Sequence, residues 1–172
     1  MKILSIDQIR EADRYTIQNE PIASIDLMER AASKVFRWME YRVEEAETVR
    51  IFCGMGNNGG DGLALARMLT ESEILPQVYL VWYSDKMSPD CEANYQRLRQ
   101  ETKVPIHDIR SKEDFPELTS KEIFIDALFG SGLNRPIQGL AAELIDFLNQ
   151  QKAVKIAIAR LHEGRYRLYR GS

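Results

Sequence analysis

From Val49 to Ile158 short apolar runs alternate with longer amphipathic ones, and that alternation constrains the fold more than any other feature of the chain. Val49-Arg50-Ile51-Phe52-Cys53, Val78-Tyr79-Leu80-Val81-Trp82-Tyr83, Glu122 to Phe129 and Val154 to Ile158 read as strands. Val104-Pro105-Ile106 reads as a short one, whose proline predicts an edge or a strand end. Leu63 to Leu69 and Leu140 to Gln150 read as helices. Another opens with Ser88 as N-cap and Pro89 at its first position. Strand, crossover helix and strand, repeated, predict an α/β fold with a mostly parallel sheet and helices on both faces. Two helices precede this pattern. Ser5 and Gln8 fit a capping box, with Ile6, Ile9 and Ala12 on one face. Beyond Asn19-Glu20-Pro21, the residues Leu27, Met28, Ala31, Ala32, Val35, Phe36 and Met39 form a broad apolar stripe.

At 172 residues the chain suits one compact domain. Its net charge of −3 gives no ground for nucleic-acid binding by the domain as a whole. Two cysteines are too few for a disulfide framework, which points to a reducing, cytoplasmic setting, and Cys53 reads as a small core residue. The segment Met1 to Asp7 turns polar too early for a signal peptide, and no apolar run approaches the ~20 residues that span a bilayer, so no membrane partner is expected. His107 and His162 lack cysteine or histidine partners at zinc-ligand spacing, and no G-x-S-x-G elbow occurs.

Gly54-Met55-Gly56-Asn57-Asn58-Gly59-Gly60-Asp61-Gly62 lies between a strand and a helix, where open α/β sheets bind ligands. Gly54, Gly56 and Gly59 satisfy G-x-G-x-x-G, and Asp85 ends the next strand, so a dinucleotide-binding loop is one reading. Asp61 argues against it. A carboxylate at a helix start is stabilised by the helix dipole and would repel a pyrophosphate from the same N–H groups. Asn57 and Asn58 offer amide oxygens, so the loop suits hydroxyl, amide or cation groups better than bare phosphate. The simplest alternative is a tight turn with an N-cap.

Asp126 interrupts the apolar strand Ile125-Asp126-Ala127-Leu128-Phe129 and is costly there without a partner. Near the carboxyl end of its strand, it is expected on the same rim as the Asn-Gly-Gly-Asp loop. An aspartate and an asparagine oxygen converging there suggest a hard cation, and so few carboxylates suit a monovalent ion. The alternative is a buried aspartate accepting backbone or serine hydrogen bonds. Gly130-Ser131-Gly132 would let a ligand approach the backbone, and Arg135 could meet a phosphate.

Asn57-Asn58-Gly59-Gly60-Asp61-Gly62 and Asp126-Ala127-Leu128-Phe129-Gly130-Ser131-Gly132 resemble the two hallmark motifs of the NAD(P)HX epimerase family, the YjeF N-terminal domain, and Leu27-Met28-Glu29-Arg30-Ala31 is similar to its second helix. The resemblance implies a Rossmann-like three-layer α/β/α sandwich over residues 1–158, in a homodimer. Its substrate would be NADHX or NADPHX, the hydrated cofactors, whose hydroxyl-bearing ring carbon is inverted through loss and return of water. Asn57, Asn58, Gly59, Gly60, Asp61, Gly130, Ser131, Gly132, Leu133, Asn134, Arg135 and Pro136 would contact it, and Asn58 and Asp126 would bind a potassium ion. It assigns no catalytic residue here. Related proteins often carry a fused dehydratase domain. The family's Asp-x-Pro-Ser-Gly motif is absent: Ala159 stands where its aspartate is expected and His162 where its serine is expected. Residues 159–172 form an atypical, arginine-rich tail, expected to be non-ancestral, and the sheet is expected to stop short of the family's. Arginine interleaved with tyrosine from Arg165 to Arg170 can bind nucleic acid, although a terminal arm is the simpler reading. A catalytically silent nucleotide- or protein-binding domain on the same scaffold is the main functional alternative. An ordinary NAD-dependent oxidoreductase is the third, and no catalytic residue for hydride transfer is evident.

Overall fold

The computed structural model describes residues 6–20, 22–43, 48–130, 133 and 136–158, the side chains at 6, 9 and 10 excepted. The expected Ser5 capping box and the 159–172 tail lie outside them. Helices α1 (Ile6–Asn19) and α2 (Ser24–Val43) lead into strand β1 (Thr48–Cys53), helix α3 (Asn57–Glu71), β2 (Gln77–Val81), α4 (Pro89–Glu101), β3 (Ile106–Ile109), β4 (Glu122–Ala127), α5 (Leu140–Gln150) and β5 (Val154–Ala157). A 3-10 turn, Lys112–Asp114, follows β3. The strands form one parallel sheet in the order β3-β2-β1-β4-β5. The order reverses direction at β1, and the carboxyl ends of β1 and β4 flank the crevice that such a reversal opens.

Alternate strand residues feed two cores, as the two-residue period of a strand dictates. Val49, Ile51, Cys53, Val78, Leu80, Ile123 and Ile125 pack under α2, α3 and α4. Phe52, Tyr79, Val81, Ile109 and Phe124 pack against Leu144, Ile145 and Leu148 of α5. This is the expected three-layer sandwich, with the central strands β1, β2 and β4 largely buried on both faces and therefore mostly apolar. Cys53 is a fully buried free thiol. Ser88 caps α4 through its hydroxyl, which accepts the Cys91 N–H, with Pro89 at the first position as expected.

Several boundaries differ from the sequence reading, among them that of β4, read to Phe129 but ending at Ala127. Helix α3 begins at Asn57, six residues before its apolar stretch, because Gly59 and Gly62 pack too closely for a side chain. A Cβ at Gly59 would lie 1.9 Å from the Gly54 carbonyl oxygen, and one at Gly62 would lie 2.6 Å from the Ala127 Cβ. Strand β2 ends at Val81; the Trp82 N–H still donates to the Ile109 carbonyl of β3 at 2.9 Å, Tyr83 leaves the ladder, and Asp85 lies four residues beyond the strand, exposed. Strand β3 runs from Ile106, just past Pro105, and is an edge strand, consistent with the proline.

Candidate functional site

Strand β1 hands the chain to α3 through Gly54-Met55-Gly56 alone. The Gly54 N–H donates to the Ala127 carbonyl at 3.0 Å, and Met55 O accepts from Ser88 N at 2.8 Å. A Cβ at Gly54 would lie 2.1 Å from the Leu128 carbonyl oxygen, so this turn presses directly on the segment leaving β4. Asn57, Asn58, Gly59 and Gly60 form the opening turn of α3 instead of a free loop, and the N-cap, Gly56, contributes no side-chain hydrogen bond. The first N–H groups of a helix lack intrahelical partners, so this end offers donors to a ligand.

The two motifs meet at one place. Gly130 sits against Asn58: a Cβ on Gly130 would lie 3.3 Å from Asn58 Cβ and 3.5 Å from its Oδ1. The Asn58 Nδ2 is buried and has no acceptor among the described residues. Amide nitrogen and oxygen are interchangeable by a flip, so the same position can present a bare oxygen. Asp126 is 1% exposed, opposite Phe52 of β1, and its Oδ1 accepts the Leu128 N–H at 2.9 Å. Asp126 O accepts the Ile158 N–H at 3.1 Å, joining β5 to the rim. Among the described residues no three His, Cys, Asp or Glu side chains gather as a metal site. Leu133 is half-buried and Pro136 exposed. Ser131, Gly132, Asn134 and Arg135 lie outside the described residues.

Asp61 departs from the electrostatic expectation. It is the fifth residue of α3. The field of a helix end fades within its first turn, so the dipole gives this carboxylate little stabilisation. Burial instead pushes its pKa up to about 7, and the nearby Asp13 and Asp90 charges add to the rise. Below that pH the group is a neutral hydrogen-bond donor, and repulsion of a phosphate by a fixed anion applies only above it.

Sequence reasoning missed Tyr83. Read as the end of a strand, it instead follows β2, and its hydroxyl accepts the Met55 N–H at 3.0 Å and donates to Leu128 O at 3.3 Å. Its ring stacks on Phe129 at 4.8 Å between centroids. Burial raises its pKa even though the Met55 and Gly56 amides favour the anion, so it stays a phenol and a donor. Nothing in a single sequence marks a tyrosine just past a strand for this role. Cys91, against Gly54 O, is raised by burial to about 12 and is inert as a nucleophile near neutral pH.

A family model described as YjeF-related protein N-terminus matches residues 24–159. An NAD(P)H-hydrate epimerase of Oenococcus oeni is 35% identical over 156 residues, which cover 90% of this chain and 71% of that protein. One from Rhodobacter capsulatus is 36% identical over 146 residues, covering 80% of this chain and 66% of that protein. A bifunctional NAD(P)H-hydrate repair enzyme Nnr of Thermofilum pendens is 31% identical over 160 residues, 92% of this chain but 30% of that protein. A crystal structure of the yeast protein ynu0 superposes with a TM-score of 0.75 at 23% identity, covering 92% of this chain and 70% of that one. The likeness to ynu0 speaks for the fold alone.

Proposed function

Because the chain belongs to the YjeF-related N-terminal family, we propose that it is an isomerase, an NAD(P)H-hydrate epimerase acting on the R and S forms of NADHX or NADPHX. The observation that carries the reading is the meeting of Gly130 with Asn58, which brings the Asn-Asn-Gly-Gly-Asp-Gly and Asp126-to-Gly132 motifs to one rim. The substrate lies along that rim, against Asn57 to Asp61 on one side and Gly130 to Pro136 on the other. Asn58 and Asp126 hold a potassium ion. Supporting this are the buried Asn58 amide end without an acceptor and the all-oxygen donor set, which suits a hard cation. The bound ion supplies positive field to oxygens of the substrate. The N-terminal amides of α3 bind an anionic or carbonyl oxygen of the substrate. Asp61, neutral below about pH 7, is able to give a proton and take one back. The protein works as a homodimer in the cytoplasm; the relatives named bifunctional NAD(P)H-hydrate repair enzyme Nnr are longer, this chain matching 30% of their length.

The test is interconversion of epimerically enriched NADHX, followed by chromatography in potassium buffer. Equilibration faster than the protein-free blank is expected. A rate equal to the blank would remove the epimerase reading. One feature favours a second reading in that event: Ala159, where the resemblance calls for an aspartate, cannot transfer a proton. Binding of the nucleotide without turnover would then identify a silent nucleotide-binding domain.

A further inference from the structure

The Tyr83 hydroxyl spans the crevice between the two motif-bearing segments and is hydrogen-bonded to the main chain of both. On one side it accepts from Met55 N, three residues ahead of Asn58 and inside the turn that starts α3. On the other it donates to Leu128 O, two residues ahead of Gly130. The path from the phenol oxygen to the Gly130–Asn58 contact is therefore very short on either side. Its two hydrogen bonds use the single donor and one acceptor position of the group. The ring is fixed independently, by stacking on Phe129 at 4.8 Å, so the oxygen has little freedom to follow a moving loop. The turn it holds is also sterically unforgiving, since a Cβ on Gly54 would come 2.6 Å from the phenol oxygen and 2.1 Å from Leu128 O.

We infer that Tyr83 is a positioning residue for the proposed epimerase site: its hydroxyl sets the separation of the Gly54–Asn58 and Leu128–Gly130 segments, and so the fit of the substrate between them. The inference rests on the epimerase reading for the identity of the ligand, but not for the existence of the tether. Segments that grip the body of a substrate act equally on ground and transition states, so loosening them raises KM and leaves kcat nearly unchanged.

The experiment compares wild type, Tyr83→Phe and Phe129→Leu in the full chain by NADHX epimerisation kinetics and by amide hydrogen exchange. Tyr83→Phe keeps the ring stack and removes the bridge. It is expected to raise KM about fivefold, the scale of one lost hydrogen bond, with kcat within about twofold. Exchange should quicken at Met55 and across Leu128–Gly130 but not in the strands. Phe129→Leu keeps the bridge and should change KM less than Tyr83→Phe does. Equal KM values for wild type and Tyr83→Phe would overturn the proposal, as would unchanged exchange in both segments. Uniformly faster exchange across the sheet would also overturn it by making Tyr83 a general packing residue. In the unaltered protein the Met55 amide should be protected although it lies outside helix and strand, and free exchange there would overturn the tether without any variant. A wild type that fails to interconvert the epimers would sink the epimerase reading alone, leaving the tether to be judged by exchange.

Discussion

Asp61 is a carboxyl whose folded pKa lies well above its unfolded one, which fixes the sign of its effect on stability. Between the ordinary carboxylate value and about 7 the folded chain binds a proton that the unfolded chain has released, so stability from this group falls as pH rises through that window. Above about pH 7 the whole penalty is present, at most about 4 kcal/mol for a shift of roughly three units. Replacing Asp61 with Asn should therefore raise the melting temperature at pH 8 more than at pH 5, and thermal melts across that range check it. The glycines separate by what a methyl group would strike. Gly59→Ala drives a Cβ into the Gly54 carbonyl and should unfold the chain or leave it at least about 2 kcal/mol less stable in urea titration. Gly130→Ala meets the Asn58 side chain first, at 3.3 Å; the protein should fold but bind NADHX more weakly. Gly56→Ala meets nothing within 4 Å and serves as the control for folding.

At the level of elements, the amino end of the sheet is pinned by a network remote from the site. Arg50 of β1 makes two hydrogen bonds to Glu122 of β4, at 3.0 and 2.8 Å, and a third to the Tyr79 hydroxyl of β2. Glu122 is 5% exposed, and Thr119 N also donates to it. Removing one member of a buried pair strands the other charge, so Arg50→Leu should destabilise by about 3–5 kcal/mol. A double change with Glu122→Leu should recover much of that loss, and paired chemical denaturation curves measure both. Helix α3 is the element whose start the sequence hid. Asn-Asn-Gly-Gly-Asp-Gly has a turn-like composition, since asparagine and glycine weaken helices. It nevertheless runs helical because the glycines allow α3 to lie directly on the β1 exit turn and on Ala127 of β4. Strand β2 was read two residues too long for a related reason: Trp82 and Tyr83 are as apolar as a strand requires, but Tyr83 turns out of the ladder to bridge two segments.

On the scale of the molecule, a cation gripped by Asn58 and Asp126 would tie α3 to β4. An ion that binds only the folded chain stabilises it by mass action. Melting temperature should accordingly rise with potassium chloride beyond its rise in choline chloride at equal ionic strength, and Asp126→Asn should abolish the difference. Sedimentation velocity checks the proposed homodimer. Tyr15, Trp38 and Tyr41 on α1 and α2 are exposed, at 67%, 51% and 76%. No helix among the described residues is long and apolar enough to cross a membrane.

Period and punctuation in the chain determined the α/β class, the number and sequence of the central elements and the parallel pairing, because a strand buried on both faces must be apolar throughout and a crossover needs a helix. They also singled out Asp126, because a carboxylate inside an apolar strand is costly without a partner, and the Asn-Asn-Gly-Gly-Asp-Gly segment that follows β1. Only the tertiary structure decided where α3 begins, that Gly130 rests on Asn58, that Asp61 is held near neutrality and that Tyr83 joins the two segments. Each of these depends on groups far apart in sequence, whose spacing comes from the packing of strands and helices and leaves no periodic trace along the chain.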